Sequence, residues 1–63
     1  MKTLKIKRVK DNIMPKDIND GFANANITIN SSKIDFMNIS ITFDETQYTD
    51  TQITDVINTI QGV

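Results

Sequence analysis

The sequence predicts an α+β domain: a small, mostly antiparallel sheet of three strands with one C-terminal amphipathic helix packed on one face. Three observations lead there. Ile53, Val56, Ile57 and Ile60 fall at i, i+3, i+4 and i+7, which puts them on one stripe of a helix. Stretches on either side of the middle of the chain alternate apolar and polar residues with the period of a half-buried strand. The whole chain, 1–63, is 63 residues long and is expected to form a single domain that buries only about 60% of its unfolded surface, leaving stability marginal.

The first strand is expected over Thr3 to Val9, with Leu4 and Ile6 on one face and Lys5 and Lys7 on the other. Asp11 to Gly21 follows as a connection punctuated by Met14-Pro15 and Asp20-Gly21. Its length leaves strand 1 free to pair with strand 2 or with strand 3. Ile13, Met14 and Ile18 suggest that it packs down on the domain.

A second strand is read from Ala23, Ala25, Ile27 and Ile29, which alternate with Asn24, Asn26, Thr28 and Asn30. A third is read from Met37, Ile39, Ile41 and Phe43, alternating with Asn38, Ser40 and Thr42. The turn between them falls on Asn30-Ser31-Ser32-Lys33. A two-residue loop would set Asn38 opposite Ala25 on the core face, whereas a loop of Ser31, Ser32 and Lys33 pairs Ile27 with Met37, Ala25 with Ile39 and Ala23 with Ile41. The odd register is therefore expected, with Ala23 and Ala25 leaving room for the helix.

The helix is predicted from Asp50 to Gln61. Thr49 and Gln52 form a T-x-x-Q capping box, Tyr48 and Ile53 a hydrophobic staple, and Gly62 stands where a left-handed terminator belongs. At about three turns it is too short to be stable alone in water, so its apolar stripe must be buried.

Composition removes several classes of chemistry. The chain has no cysteine and no histidine, which excludes disulfides, thiolate and imidazole metal sites, Ser/His/Asp triads and Cys/His dyads. Asp17-Ile18-Asn19-Asp20-Gly21 resembles the start of a calcium loop, but its glycine arrives one position early and Thr28 stands where the closing Glu belongs. Asp44 and Glu45 are adjacent on an extended chain and point apart, so they read as solvated charges and not as an acid/base pair. Two glycines, Gly21 and Gly62, cannot build a phosphate-binding loop. No enzymatic activity, metal or cofactor is expected.

The formal charge of −1 hides a dipole: residues 1–16 carry Lys2, Lys5, Lys7, Arg8, Lys10 and Lys16 against Asp11, a local +5. Residues 17–63 carry Lys33 against Asp17, Asp20, Asp35, Asp44, Glu45, Asp50 and Asp55, a local −6. Such segregation governs which partners each surface attracts. Intramolecular neutralisation of Lys5, Lys7 and Arg8 by Asp35, Asp44 or the helix carboxylates is the bland alternative. With no signal-peptide pattern and no long apolar run, the chain is expected in the cytoplasm and away from membranes. The Asn-x-Ser/Thr matches at Asn26, Asn30 and Asn38 carry no weight in that setting. Its richness in Ile, Asn, Lys, Asp and Thr suits an AT-rich coding sequence, such as that of a low-GC bacterium or a phage.

The face opposite the helix is expected to hold Lys5 and Lys7 with Phe22, Phe36 and a set of Asn, Ser and Thr side chains. A solvated surface is the plain reading of such a face. Beyond it, Lys5, Lys7, Arg8, Phe22 and Phe36 are the candidate partner-binding residues, in a non-enzymatic protein–protein interaction module that docks on another protein or on itself as a homo-oligomer. A bacterial or phage accessory, inhibitor or assembly protein fits that description. The alternative is a nucleic-acid-binding protein in which the basic first strand contacts phosphates and the aromatics stack bases. Overall acidity and the absence of arginine clusters weigh against it.

Overall fold

A computed structural model describes residues 1–63 as β1 (Lys2–Lys7), α1 (Pro15–Asn24), β2 (Ser31–Ile34), β3 (Asn38–Phe43) and α2 (Asp50–Gln61). The α+β class holds, with two helices where one was expected. The strands form one antiparallel sheet in the order β1-β3-β2. β1 therefore lies beside β3, and β1 and β2 run parallel with β3 between them. The β1-α1-β2 passage is a crossover that skips one strand, a split β-α-β unit.

Alternation decides which way β3 faces. Ile39, Ile41 and Phe43 are buried, while Asn38, Ser40 and Thr42 are only half-covered. The register sets Leu4 opposite Ile41 and Ile6 opposite Ile39, with Ser32 and Ile34 on the far side. Leu4, Ile6, Ile34, Ile39 and Ile41 share one core with Ile18 and Phe22 of α1 and Ile53 and Ile57 of α2, so both helices cover the same face of the sheet. Burial of one such isoleucine contributes about 1.5–3 kcal/mol.

α2 matches its sequence reading. The Thr49 hydroxyl accepts from the Gln52 N–H at 3.2 Å, and the Gln52 side chain accepts from the Thr49 N–H at 2.8 Å. Gly62 stops the helix at φ 78°, with the Val63 N–H donating to the Asn58 carbonyl at 3.0 Å. The helix runs parallel to β1, since Lys2 Nζ meets Asp50 Oδ2 at 2.7 Å at one end. At the other, the Gln61 side-chain amide accepts from the Val9 N–H at 2.7 Å and donates to the Lys7 carbonyl at 3.2 Å.

The strand expected over Ala23–Asn30 is overturned. Residues 15–24 are helical, so Ala23 and Asn24 belong to α1 and most of the connection from Asp11 to Gly21 becomes that helix. Pro15 sits in the first turn, where its missing N–H is no loss, and the Asp17 carboxylate accepts from the Met14 N–H at 3.0 Å. Ile18 and Phe22, four residues apart, supply the buried stripe. Asn26 ends the helix at φ 58°, with the Ile27 N–H donating to the Phe22 carbonyl at 3.0 Å. This is the left-handed terminator that Asn tolerates better than most residues. Beyond it, Ile27 and Ile29 keep their alternation, half-buried against the core in a segment without regular structure, outside the sheet. As expected of this stretch, Ile13 and Ile18 pack down, but Met14 is exposed.

The expected turn at Asn30-Ser31-Ser32-Lys33 is also corrected, because Ser31–Ile34 is β2. The hairpin instead closes between Asp35 and Asn38, where the Asp35 N–H donates to the Asn38 carbonyl at 2.8 Å. Met37, expected in the core, stands at the tip, and the pairings of Ile27, Ala25 and Ala23 with β3 do not form. Ala23 and Ala25 are exposed; the close approach of the helices is made at Gly21. A Cβ there would collide with Cδ1 and Cγ1 of Ile60.

Two predictions arise from this packing. Gly21→Val should destabilise the fold by about 1–3 kcal/mol through overpacking, and Ile60→Ala should recover part of that loss in a double-mutant cycle read by urea denaturation. The second concerns Asp44, whose carboxylate accepts from the Thr46 hydroxyl at 2.6 Å and its N–H at 2.9 Å, holding its pKa below the ordinary 3.8. A depressed carboxyl pKa contributes stability above the unfolded value that is lost as pH falls through the folded one. Thr46→Val should therefore raise the Asp44 pKa toward 3.8 and flatten the acid limb of stability, as followed by carboxyl NMR and by denaturation across the acid range.

Candidate functional site

With apolar side chains drawn to the helices, the other sheet face is left entirely polar. Lys5, Ser40 and Lys33 form one cross-strand row, and Thr3, Thr42 and Ser31 form another. Adjacent strands lie about 4.8 Å apart, so the Lys5 and Lys33 backbones stand roughly 10 Å from each other across Ser40. Lys7 extends the patch beside Asn38. The Thr3 and Thr42 hydroxyls are 2.8 Å apart and bond to one another. Three lysines thus rise from a floor of hydroxyls and an amide.

The ion pairs leave much of this charge free. They join the Met1 ammonium to Glu45 at 3.0 Å, Lys2 to Asp50 at 2.7 Å and Lys33 to Asp35 at 3.6 Å. Lys5 and Lys7 take no part. The Glu45 carboxyl is held below its ordinary range by its hydrogen bond from the Met1 ammonium. All three pairs are exposed, so solvent screens them and they favour a register more than they stabilise the fold.

At one end of this face is the β2–β3 hairpin tip. Phe36 is 89% exposed and Met37 59%. Two-residue hairpin tips favour Asn or Gly with positive φ, yet the only positive-φ residues of the chain are Asn26 and Gly62. A large aromatic and a methionine therefore occupy a turn whose geometry gives no reason for them. The tip is braced by Arg8, whose N–H donates to the Met37 carbonyl at 3.0 Å. Its guanidinium donates to the carbonyls of Asp35 at 3.2 Å, Lys10 at 3.1 Å and Asp11. Val9, also exposed, follows at the same end.

The five expected partner-binding residues are thus separated by the fold. Lys5 and Lys7 project from the open face, and Phe36 stands beside them at the tip. Arg8 spends its guanidinium on three backbone carbonyls. Phe22, only 2% exposed, points from α1 into the core and forms no part of the surface. Lys33 and Met37 join the surface without having been expected there, since one was read as turn and the other as core.

A shallow groove of about 330 Å³ runs between the helices, with Val56 and Ile60 as its apolar wall and Gly21, Asn24 and Asp55 around it. No helix is long and apolar enough to cross a membrane. No protein-family model, curated protein or solved structure matches the chain.

Proposed function

We propose that the chain is a non-enzymatic protein–protein interaction module whose contact surface is the Phe36–Met37 tip together with the lysine face behind it. The observation that carries this reading is the tip itself. Two large apolar side chains stand in water at a turn whose backbone, with no positive φ, neither requires nor buries them. An exposed aromatic on a braced backbone loses little conformational freedom on docking, and aromatic anchors of this kind dominate interface energetics. Lys5, Lys7 and Lys33 favour a partner whose pocket for Phe36 is rimmed by carboxylates. An accessory, inhibitor or assembly role in the cytoplasm of a bacterium, or in a phage infecting one, remains a proposal resting on composition and size. A second copy of the chain is the other partner considered.

One observation favours the alternative, a nucleic-acid-binding protein: Lys5 and Lys33 flank Ser40 in one row of the open face with Lys7 beside them, which gathers three cations where phosphates could be contacted. Against it, no aromatic lies on that face to stack a base.

Affinity capture from the native cell with wild type, Phe36→Ser and the triple variant Lys5→Glu/Lys7→Glu/Lys33→Glu tests the reading. A specific prey should be lost about tenfold or more with Phe36→Ser, the effect of removing an anchor of about 1.4 kcal/mol or more, while circular dichroism shows an unchanged fold. Equal capture by Phe36→Ser overturns the assignment. Oligonucleotide binding whose logarithm falls with that of salt at a slope of about −2, the value for three phosphates on a single strand, would install the alternative.

A further inference from the structure

We propose that the outer edge of β1 is a strand-addition site for an extended segment of a partner protein that alternates acidic and apolar residues. The proposal rests on the interaction-module reading and adds a second contact, away from the tip, with a stated partner chemistry.

The backbone defines the edge. Because the Arg8 N–H bonds the Met37 carbonyl, the antiparallel alternation turns Ile6, Leu4 and Lys2 toward β3 and directs the N–H and C=O groups of Thr3, Lys5 and Lys7 outward. Gln61 bears this out. Its buried side-chain amide takes the Lys7 carbonyl and the Val9 N–H, the two groups that a neighbouring strand would use. The far end of the edge is thereby closed, and Thr3, Lys5 and the Lys7 N–H are left as a short open ladder. Topology points to the same place, since repeating the split pattern after β3 and α2 would lay its closing strand against this edge, antiparallel to β1.

Side chains select the occupant. On the helix side the edge presents half-buried Leu4, and on the open side Lys5 and Lys7, neither of them in an ion pair. A docked strand therefore fits when its apolar residues lie beside Leu4 and its carboxylates beside the lysines. Pairing of β1 with β1 of a second copy would gather the lysines of both copies on one face, where like charges repel. The edge of β2 offers no comparable selection, because Lys33 is paired with Asp35.

The test is titration of the ¹⁵N-labelled full chain with a synthetic peptide of alternating glutamate and valine, about the length of β1. Two control peptides are used: the same sequence N-methylated at the amides facing β1, and a lysine/valine analogue. Expected are saturable shifts and slowed hydrogen exchange at the Thr3 and Lys5 amides, weakening of about tenfold or more on N-methylation, and preference for the lysine/valine peptide in Lys5→Glu/Lys7→Glu. Phe36→Ser should bind the acidic peptide as wild type does, which separates this site from the tip. Absence of binding, indifference to N-methylation, or shifts confined to Phe36 and Met37 would overturn the edge assignment, the last while leaving the tip reading standing. A dimer that protects Thr3 and Lys5 without peptide would overturn the acidic occupant.

Discussion

Burial of one face of β3 is the constraint on which the rest of the molecule depends. Ile39, Ile41 and Phe43 are fully covered, both other strands hydrogen-bond to β3, and the buried residues of both helices join the same cluster. In a chain this short no second core offsets a loss there, and truncating one such residue to alanine removes about 2–5 kcal/mol, a large part of the stability a small domain can have. The polar contacts around the core fix direction more than they stabilise. Lys2 with Asp50 and Gln61 with Lys7 and Val9 pin the two ends of α2 along β1.

The surface follows from that core. Once alternation commits Leu4, Ile6, Ile39 and Ile41 to the helices, Lys5, Lys7, Ser40 and Thr42 have only the opposite face to occupy. Charge segregation then acquires a location. The acidic side of the dipole is partly consumed by Met1 and Lys2 at the start of β1, whereas Lys5 and Lys7 stay unpaired beside an apolar tip. Lysines on an edge strand also discourage indiscriminate pairing, so the same residues can exclude most strands and admit an acidic one.

Much of this was legible in the sequence, and the errors have physical causes. The helical stripe, capping box and Gly62 fixed α2, and alternation fixed β1 and β3 with their faces. Ala23 to Asn30 misled because its alternation is genuine at Ile27 and Ile29, which pack on the core without joining the sheet. The signal for α1 was shorter: Pro15 followed by Asp17, with Ile18 and Phe22 at i and i+4. Asn26 as a left-handed stop looked like one more polar position of a strand. Asn30-Ser31-Ser32 has the composition of a turn and forms the entry to a strand, while the real hairpin tip, Phe36–Met37, has none of the residues turns favour. Of the candidate site, Lys5, Lys7 and Phe36 were readable as surface. Phe22 was misplaced with its strand, and the structural role of Arg8 depends on carbonyls of residues that the sequence alone does not bring together.

Native-state hydrogen exchange tests the central position of β3 most directly. If β3 is hydrogen-bonded on both sides and buried on one face, the amides from Ile39 to Phe43 should exchange as a block, through global unfolding and among the slowest in the chain, with those of Thr28 and Ile29, which lie outside the sheet, much faster. Protection of Thr28 and Ile29 as strong as that of β3, or β3 amides exchanging as fast as the loops, would contradict the architecture and with it the assignment of the lysine face and the Phe36 tip.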